Sequence, residues 1–223
     1  KSGRLDKFLV DIMPNPQHLQ YLLCCCAKFL NGSVPNDTLI FITGSGGNGK
    51  SMFMNLLDNT LGELCTSVSS TLFTRQDTDS NIARPDLVRL RTKRFGYITE
   101  PDAGVLNSAI VKKLCGSDKI TCRNLYQQQI SFQFKTKFAV ICNDLPDVTS
   151  GDTAIWRRIK TIKFNTKFVE NPIKDNERLL DPSLSETIKS DIVWRQALIN
   201  TLITHLHCTC SVPDEFNVLK QNY

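Results

Sequence analysis

The sequence contains no apolar run approaching the length of a bilayer and no signal-like opening segment, so we expect a soluble, intracellular protein with no membrane partner. Charge of one sign is also in short supply. With 27 Lys and Arg against 22 Asp and Glu, the formal net charge is only +5, which by itself is a weak pointer to a polyanion. An opening Met is missing, since the chain starts at Lys1, and we expect a piece of a longer polypeptide. Cysteine is not scarce, but nine thiols cannot all pair. A chain of 223 residues with 41% hydrophobic content can bury one substantial core without disulfide staples. Reduced thiols in apolar stretches are therefore expected. His205, His207, Cys208 and Cys210 are of metal-ligating type, yet so compact a segment is poorly placed to wrap four ligands around a tetrahedral zinc ion.

What is present is a loop. Gly44, Ser45, Gly46, Gly47, Asn48, Gly49, Lys50 and Ser51 fit the pattern of glycine, four residues, then Gly-Lys-Ser. Its flanks comply with the same chemistry. Thr38 to Thr43 is a short β-branched and apolar run expected to be a buried parallel strand, and Ser51 to Leu57 continues as a helix with an apolar face. Backbone N–H groups at the start of such a helix converge on phosphate oxygens. Lys50 then reaches the β and γ phosphates of ATP and the Ser51 hydroxyl ligates Mg²⁺.

Asn15-Pro16 reads as an N-cap followed by proline at the first helical position, with Leu19, Leu22, Leu23, Cys26, Phe29 and Leu30 at helical spacing before Asn31-Gly32. A short strand is expected around Leu64 to Val68, and a helical stretch from Thr78 to Arg94, broken near Pro85. The latter crowds Arg84, Arg89, Arg91, Lys93 and Arg94 together, as a solvated face or as a nucleic-acid contact.

Phe95 to Glu100 is a second buried-strand candidate with an acid at its C-terminal end, the edge of a parallel sheet where ligands sit. Glu100 is expected to act on the attacking water and on Mg²⁺, with Asp102 as the fallback ligand. Phe138 to Asn143 is a third strand ending in a polar amide, suited to positioning water against the γ-phosphate. Arg157 and Arg158 precede a fourth strand, Ile159 to Phe164. Either arginine can serve as ordinary surface charge or reach a neighbouring subunit's γ-phosphate, Arg158 being slightly favoured for the latter.

In this order, Gly44 to Ser51, Ile98 to Pro101, Lys112 to Arg123, Ile141 to Pro146 and Asp152 to Arg158, the chain resembles a superfamily 3 helicase of the AAA+ class. More narrowly, it resembles the helicase part of primase-helicases of poxviruses and other large DNA viruses, and of certain phages and plasmids. The resemblance implies a hexameric ring that hydrolyses ATP at subunit interfaces and draws single-stranded DNA through its centre, with a primase domain in the same full-length chain. It also implies a host cytoplasm or replication-site location. On that resemblance Lys113 falls in the family's extra motif, and Lys119 to Phe134 forms a channel hairpin. Alternation of Ile120, Cys122, Ile130, Phe132 and Phe134 with polar residues supports the hairpin independently. Two departures stand out: Thr99 replaces the usual metal-coordinating acid, and the tip lacks a Lys or His. DNA contact is assigned to Lys112, Lys113, Lys119 and Arg123, with Tyr126 as a stacking platform.

Near the end, Ser183 with Glu186 reads as a capping box, and Leu184, Ile188, Ile192, Leu198, Leu202 and Leu206 as the stripe of one long helix packed with the N-terminal one. The expected fold is α/β, an AAA+-type three-layer core over 37–165 with a parallel central sheet, flanked by helical segments at 1–36 and 166–223. A P-loop kinase or nucleotide-binding regulator, and an AAA+ remodeller of proteins, are the alternatives. Neither has a use for DNA stimulation.

Overall fold

The computed structural model describes residues 2–32, 37–74, 83–102, 104–116, 118–146 and 153–216. In chain order the elements are α1 (Ser2–Ile12), α2 (Pro16–Ala27), β1 (Leu39–Thr43), α3 (Lys50–Leu61), β2 (Cys65–Ser67), α4 (Pro85–Leu90), β3 (Phe95–Thr99) and α5 (Ser108–Cys115). They continue with β4 (Lys119–Cys122), β5 (Ile130–Gln133), β6 (Lys137–Ile141), α6 (Thr153–Arg158), β7 (Ile159–Lys163), β8 (Lys167–Val169), β9 (Glu177–Leu179), α7 (Leu184–Ser190) and α8 (Ile192–Thr204). The fold is mixed α/β, with a mostly parallel sheet in the order β2, β3, β6, β1, β7. Every residue of β1 and of β6 is buried, as continuous apolar runs covered on both faces should be.

The described residues group into two compact units, one drawn from 1–31, 42–62 and 162–217, the other from 32–41 and 63–161. In the first, Asn15 caps α2 by accepting hydrogen bonds from the Gln17 and His18 N–H groups, with Pro16 at the first helical position. This removes two of the orphan donors that open any helix. Helix α8 packs against α1, α2 and α3, and its Trp194, Leu198 and Leu202 are buried. The rings of Phe8 and Trp194 lie 5.9 Å apart, those of Phe53 and Phe164 6.1 Å.

In the second unit, β2 and β3 pair in parallel, as do β3 and β6, with Thr99 opposite Ile141. Gly96 sits mid-strand for a packing reason, since a Cβ there would lie 3.0 Å from the Phe138 ring. The antiparallel β4–β5 hairpin pairs Ile120 with Phe132 and Cys122 with Ile130. Its inward residues Ile120 and Cys122 join a core with Val111, Phe134 and Phe138, as the alternation predicts. Helix α5 is capped by Asn107, whose side chain accepts from the Ala109 and Ile110 N–H groups.

The C-terminal reading needs correction. Instead of one long helix there are two, because Asp191 leaves helical geometry (φ −87°, ψ 103°) and its carboxylate caps the second by accepting from Val193 N at 2.8 Å. The expected capping box is not formed. Ser183 takes helical dihedrals and has no capping bond to α7; its N–H and hydroxyl both donate to Asp181 Oδ1, at 2.9 and 2.6 Å. The nearer carboxylate wins this local competition. Helix α1 and the short parallel pair β8–β9 add to the expected elements. Of the helical stretch expected from Thr78, residues 78–82 lie outside the described residues and α4 covers Pro85–Leu90. Among the described residues no helix is long and apolar enough to cross a membrane.

Candidate functional site

The glycine-rich loop is built on backbone that only glycine adopts easily. Gly44, Gly47 and Gly49 have φ of 143°, 74° and 84°, whereas a Cβ on Gly46 would have no neighbour within 4 Å. A Cβ on Gly44 would collide with Asn48 Nδ2 and with the Phe164 carbonyl oxygen, so the first glycine permits a close approach of two chain segments. The loop is stapled to the segment after β7. Asn48, only 3% exposed, donates from Nδ2 to the Phe164 carbonyl at 3.3 Å, and Phe168 N–H donates to the Gly47 carbonyl at 2.8 Å.

Lys50, the first residue of α3, is 7% exposed. Its ammonium donates to the carbonyl oxygens of Gly44 and, at 3.5 Å, Ser45. The carbonyl dipoles of Gly44 and Ser45 are thus among the partners of a buried cation held inside the curve of the loop, and hydrogen bonds from such a cation to a charged oxygen are stronger. Gly49, at the N-cap of α3, has no side chain to cap it, the Lys50 N–H donates to Asn48 Oδ1 at 3.5 Å, and the adjacent Ser51 is exposed. Loop curvature, the start of helix α3 and the ammonium are donor-bearing features of the kind suited to an anion.

In the second unit, Glu100 follows β3 and Asn143 lies two residues beyond β6, its neighbour in the sheet. Both side chains are exposed. Glu100 N–H donates to the Ile141 carbonyl at 2.9 Å, and the residue holds φ of 53°, left-handed although it is not glycine. Thr99 and Asp102 are exposed as well. The two arginines of α6 differ. Arg158 pairs through Nε with Asp37 Oδ1 at 2.5 Å, its side chain 14% exposed, whereas Arg157 is exposed. Of the motif that precedes them, 151–152 lie outside the described residues.

The hairpin presents a polar tip. Tyr126 is fully exposed and left-handed, with φ of 59°, and Leu125 is largely exposed beside it. Asn124 and Gln127 close the turn, Asn124 Nδ2 donating to Gln127 Oε1 at 3.0 Å. Lys119 is exposed at the first position of β4, Lys113 is exposed on α5, and Lys112 and Arg123 are half-buried. The neighbouring basic run is largely engaged locally: Arg84 with Asp86 at 3.4 Å, Arg89 with the Ser67 carbonyl at 2.7 Å, and Lys93 with the Glu63 carbonyl at 2.7 Å.

None of the nine cysteines is in a disulfide, and seven are buried. Burial pushes the Cys115 thiol up to about 12 and the Cys26 thiol well above its ordinary value, so both are neutral and inert near neutral pH. Among the described residues no group of three His, Cys, Asp or Glu side chains is arranged to hold a metal. Asp37 and Phe168 are not among the residues to which the sequence points. Asp37 gives no signal beyond preceding β1, and Phe168 none beyond lying shortly after a buried strand.

A family model described as "Family of unknown function (DUF5906)" matches residues 42–158, just over half of the chain. The chain belongs to this family. The DUF5906 match takes in the glycine-rich loop, Glu100, Asn143, Arg157 and Arg158 and leaves out α1, β8, β9, α7 and α8. This DUF5906 chain is 32% identical over 212 residues, 90% of its length, to "Putative helicase L207/L206" of Acanthamoeba polyphaga mimivirus, of which it spans 22%. It is 24% identical over 199 residues to "Putative primase C962R" of an African swine fever virus isolate, spanning 21% of that protein. The DUF5906 chain thus covers about a fifth of either relative's length. In fold it is similar to the C-terminal region of NrS-1, with a TM-score of 0.58 and 14% identity over 89% of this chain and 42% of that one.

Proposed function

We propose that the chain is the ATP-hydrolysing helicase part of a replication protein of a large DNA virus, acting on single-stranded DNA as a ring of identical subunits, a hexamer by the family resemblance. The observation that carries the reading is the buried Lys50 ammonium inside a loop that favours glycine at 44, 47 and 49 and leads into helix α3. On ATP binding the ammonium exchanges the Gly44 and Ser45 carbonyls for β and γ phosphate oxygens, a charge-assisted and therefore stronger pairing. Gly44 to Ser51 cradle the phosphates. The Ser51 hydroxyl and the Glu100 carboxylate are oxygen donors of the type a hard cation such as Mg²⁺ takes, and on the family resemblance they would hold it. When bound, Mg²⁺ neutralises charge on the phosphate oxygens.

Glu100 orients and deprotonates the attacking water, and Asn143 positions that water by hydrogen bonding. Arg157 is the favoured donor to a neighbouring subunit's γ-phosphate, because Arg158 is already committed to Asp37. Lys112, Lys113, Lys119 and Arg123 grip DNA phosphates, while Tyr126 stacks on a base. A primase part in the same full-length polypeptide is in keeping with the span of about a fifth of its relatives and with the name of one of them. The protein works in the cytoplasm or at a replication site of the host.

The test is complementation. Lys50→Ala and Arg157→Ala proteins, each inactive alone, are mixed and their ATP hydrolysis and DNA unwinding measured. Restored activity is expected, because some interfaces then join an intact loop to an intact arginine. No restoration, with oligomers present in sedimentation, would contradict action in trans.

A further inference from the structure

Three thiols meet outside the family match and outside the ATP chemistry. Cys24, on α2 and 1% exposed, is hydrogen-bonded with the thiols of Cys208 and Cys210, both half-buried in the segment that follows α8. From 208 to 212 exposure alternates, with Thr209 and Ser211 outward, which puts Cys208 and Cys210 on one side of the chain. Gln20, one helical turn before Cys24, donates from Nε2 to Cys208 Sγ at 3.6 Å. Further along, Phe216 is buried against His18 and Tyr21 of the same helix, with ring centroids 4.4 and 5.9 Å away. The segment is thus laid along α2 by thiols at one end and by an aromatic anchor at the other.

Coordination is not what this cluster suits, since no group of three His, Cys, Asp or Glu side chains among the described residues is arranged to hold a metal. Oxidation asks only that two sulfurs reach each other, and hydrogen-bonded thiols do. We infer that Cys24, Cys208 and Cys210 form a redox-active site, in which Cys24 makes a reversible disulfide with either partner and so fastens the segment 208–216 covalently to α2. The oxidant is a hydroperoxide, of which hydrogen peroxide is the simplest. A half-exposed thiol, that of Cys208 or Cys210, first reduces the peroxide, giving a sulfenic acid and one water. The Cys24 sulfur then displaces the hydroxyl, which leaves with the Cys24 proton as a second water. Two electrons pass from two sulfurs to the peroxide. The order follows from access and charge: burial first, then the neighbouring thiols, push the Cys24 thiol above its ordinary value and keep it protonated, so it resolves the reaction rather than starting it. Disulfides of this kind in reducing compartments are transient and redox-sensing.

The experiment treats the reduced chain with hydrogen peroxide and reads its intact mass, then its tryptic peptides without reduction. Cys24 falls in peptide 8–28, and Cys208 and Cys210 in peptide 196–220. Expected are a mass loss of two hydrogen atoms, a link between these two peptides, and reversal of both by dithiothreitol. Cys208→Ser and Cys210→Ser should each keep the link, whereas the double variant and Cys24→Ala should lose it. Circular dichroism checks folding, and the double variant, altered only at half-exposed positions, decides the matter if Cys24→Ala does not fold. The linked parent should unfold about 5 °C or more above the reduced one, because the cross-link constrains the unfolded chain. Absence of the link in the parent, its persistence in either folded variant, or a disulfide closed within peptide 196–220 overturns the site. Equal unfolding midpoints for linked and reduced parent overturn the fastening. None of these readouts depends on nucleotide.

Discussion

Gly44, Gly47 and Gly49 take φ of 143°, 74° and 84° without a side chain, whereas Glu100 and Tyr126 take 53° and 59° with theirs attached. Glycine enters the left-handed region freely, but another residue loses about 1–2 kcal/mol there. In the loop, then, the useful object is the backbone, whose Gly44 and Ser45 carbonyls receive the Lys50 ammonium. At 100 and 126 the useful object is the side chain, retained where glycine would be easier. Backbone outliers of this kind are a ground for proposing function. Their surroundings differ as well: Lys50 is 7% exposed and Tyr126 fully exposed.

Substitutions that exchange the two solutions sharpen the contrast, and the largest effect belongs to the loop. Gly49→Ala combines an unfavourable φ with a Cβ 2.8 Å from Ile12 Cγ2. It should destabilise the fold by about 2 kcal/mol or more and abolish ATP binding, as read by denaturant unfolding and by nucleotide titration. Gly46→Ala, with neither constraint, should leave both within error. Next comes Glu100→Gln, which should lower hydrolysis on the order of 10²–10³-fold while retaining ATP binding. Glu100→Gly should lose hydrolysis similarly yet gain about 1 kcal/mol of stability, separating the strain from the chemistry. If Glu100→Gln hydrolysed ATP like the parent, Asp102 would take its place.

Most of this is legible in the sequence where a local pattern coincides with a physical need. The strands β1, β3 and β6 are readable because largely apolar runs have few other uses, and the β4–β5 hairpin because alternation sorts its residues between core and solvent. The loop is readable because its glycines stand at fixed offsets from Lys50. Helix α1 carries a comparable signal in the spacing of Leu5, Phe8, Leu9 and Ile12, all buried, but it lacks the Asn-Pro start that marks α2. Other features have no local signal at all. The Arg158–Asp37 pair joins residues 121 positions apart, and β8 is three residues long with its position fixed by the Phe168–Gly47 hydrogen bond. Likewise, Asp191 ends one helix and begins the next inside a stripe that reads as unbroken.

Smaller effects are expected at the hairpin. Tyr126→Ala should weaken single-strand binding by about 1–3 kcal/mol, with the salt dependence of binding and the basal ATP hydrolysis retained. Lys119→Ala should do the reverse in kind, a modest loss of affinity accompanied by a flatter slope of log affinity against log salt, since one fewer phosphate contact releases fewer counterions. Identical salt slopes for these two variants would remove the distinction between a stacking tip and a cationic base.

Steady-state ATP hydrolysis with and without single-stranded DNA, in the parent and in Lys50→Ala, tests the central assignment most directly. The proposed chemistry predicts Mg²⁺-dependent hydrolysis that rises several-fold with DNA and disappears in Lys50→Ala, whose cationic phosphate contact is gone. Hydrolysis that survives in Lys50→Ala, or that is absent from the assembled parent with Mg²⁺ and DNA present, would contradict it.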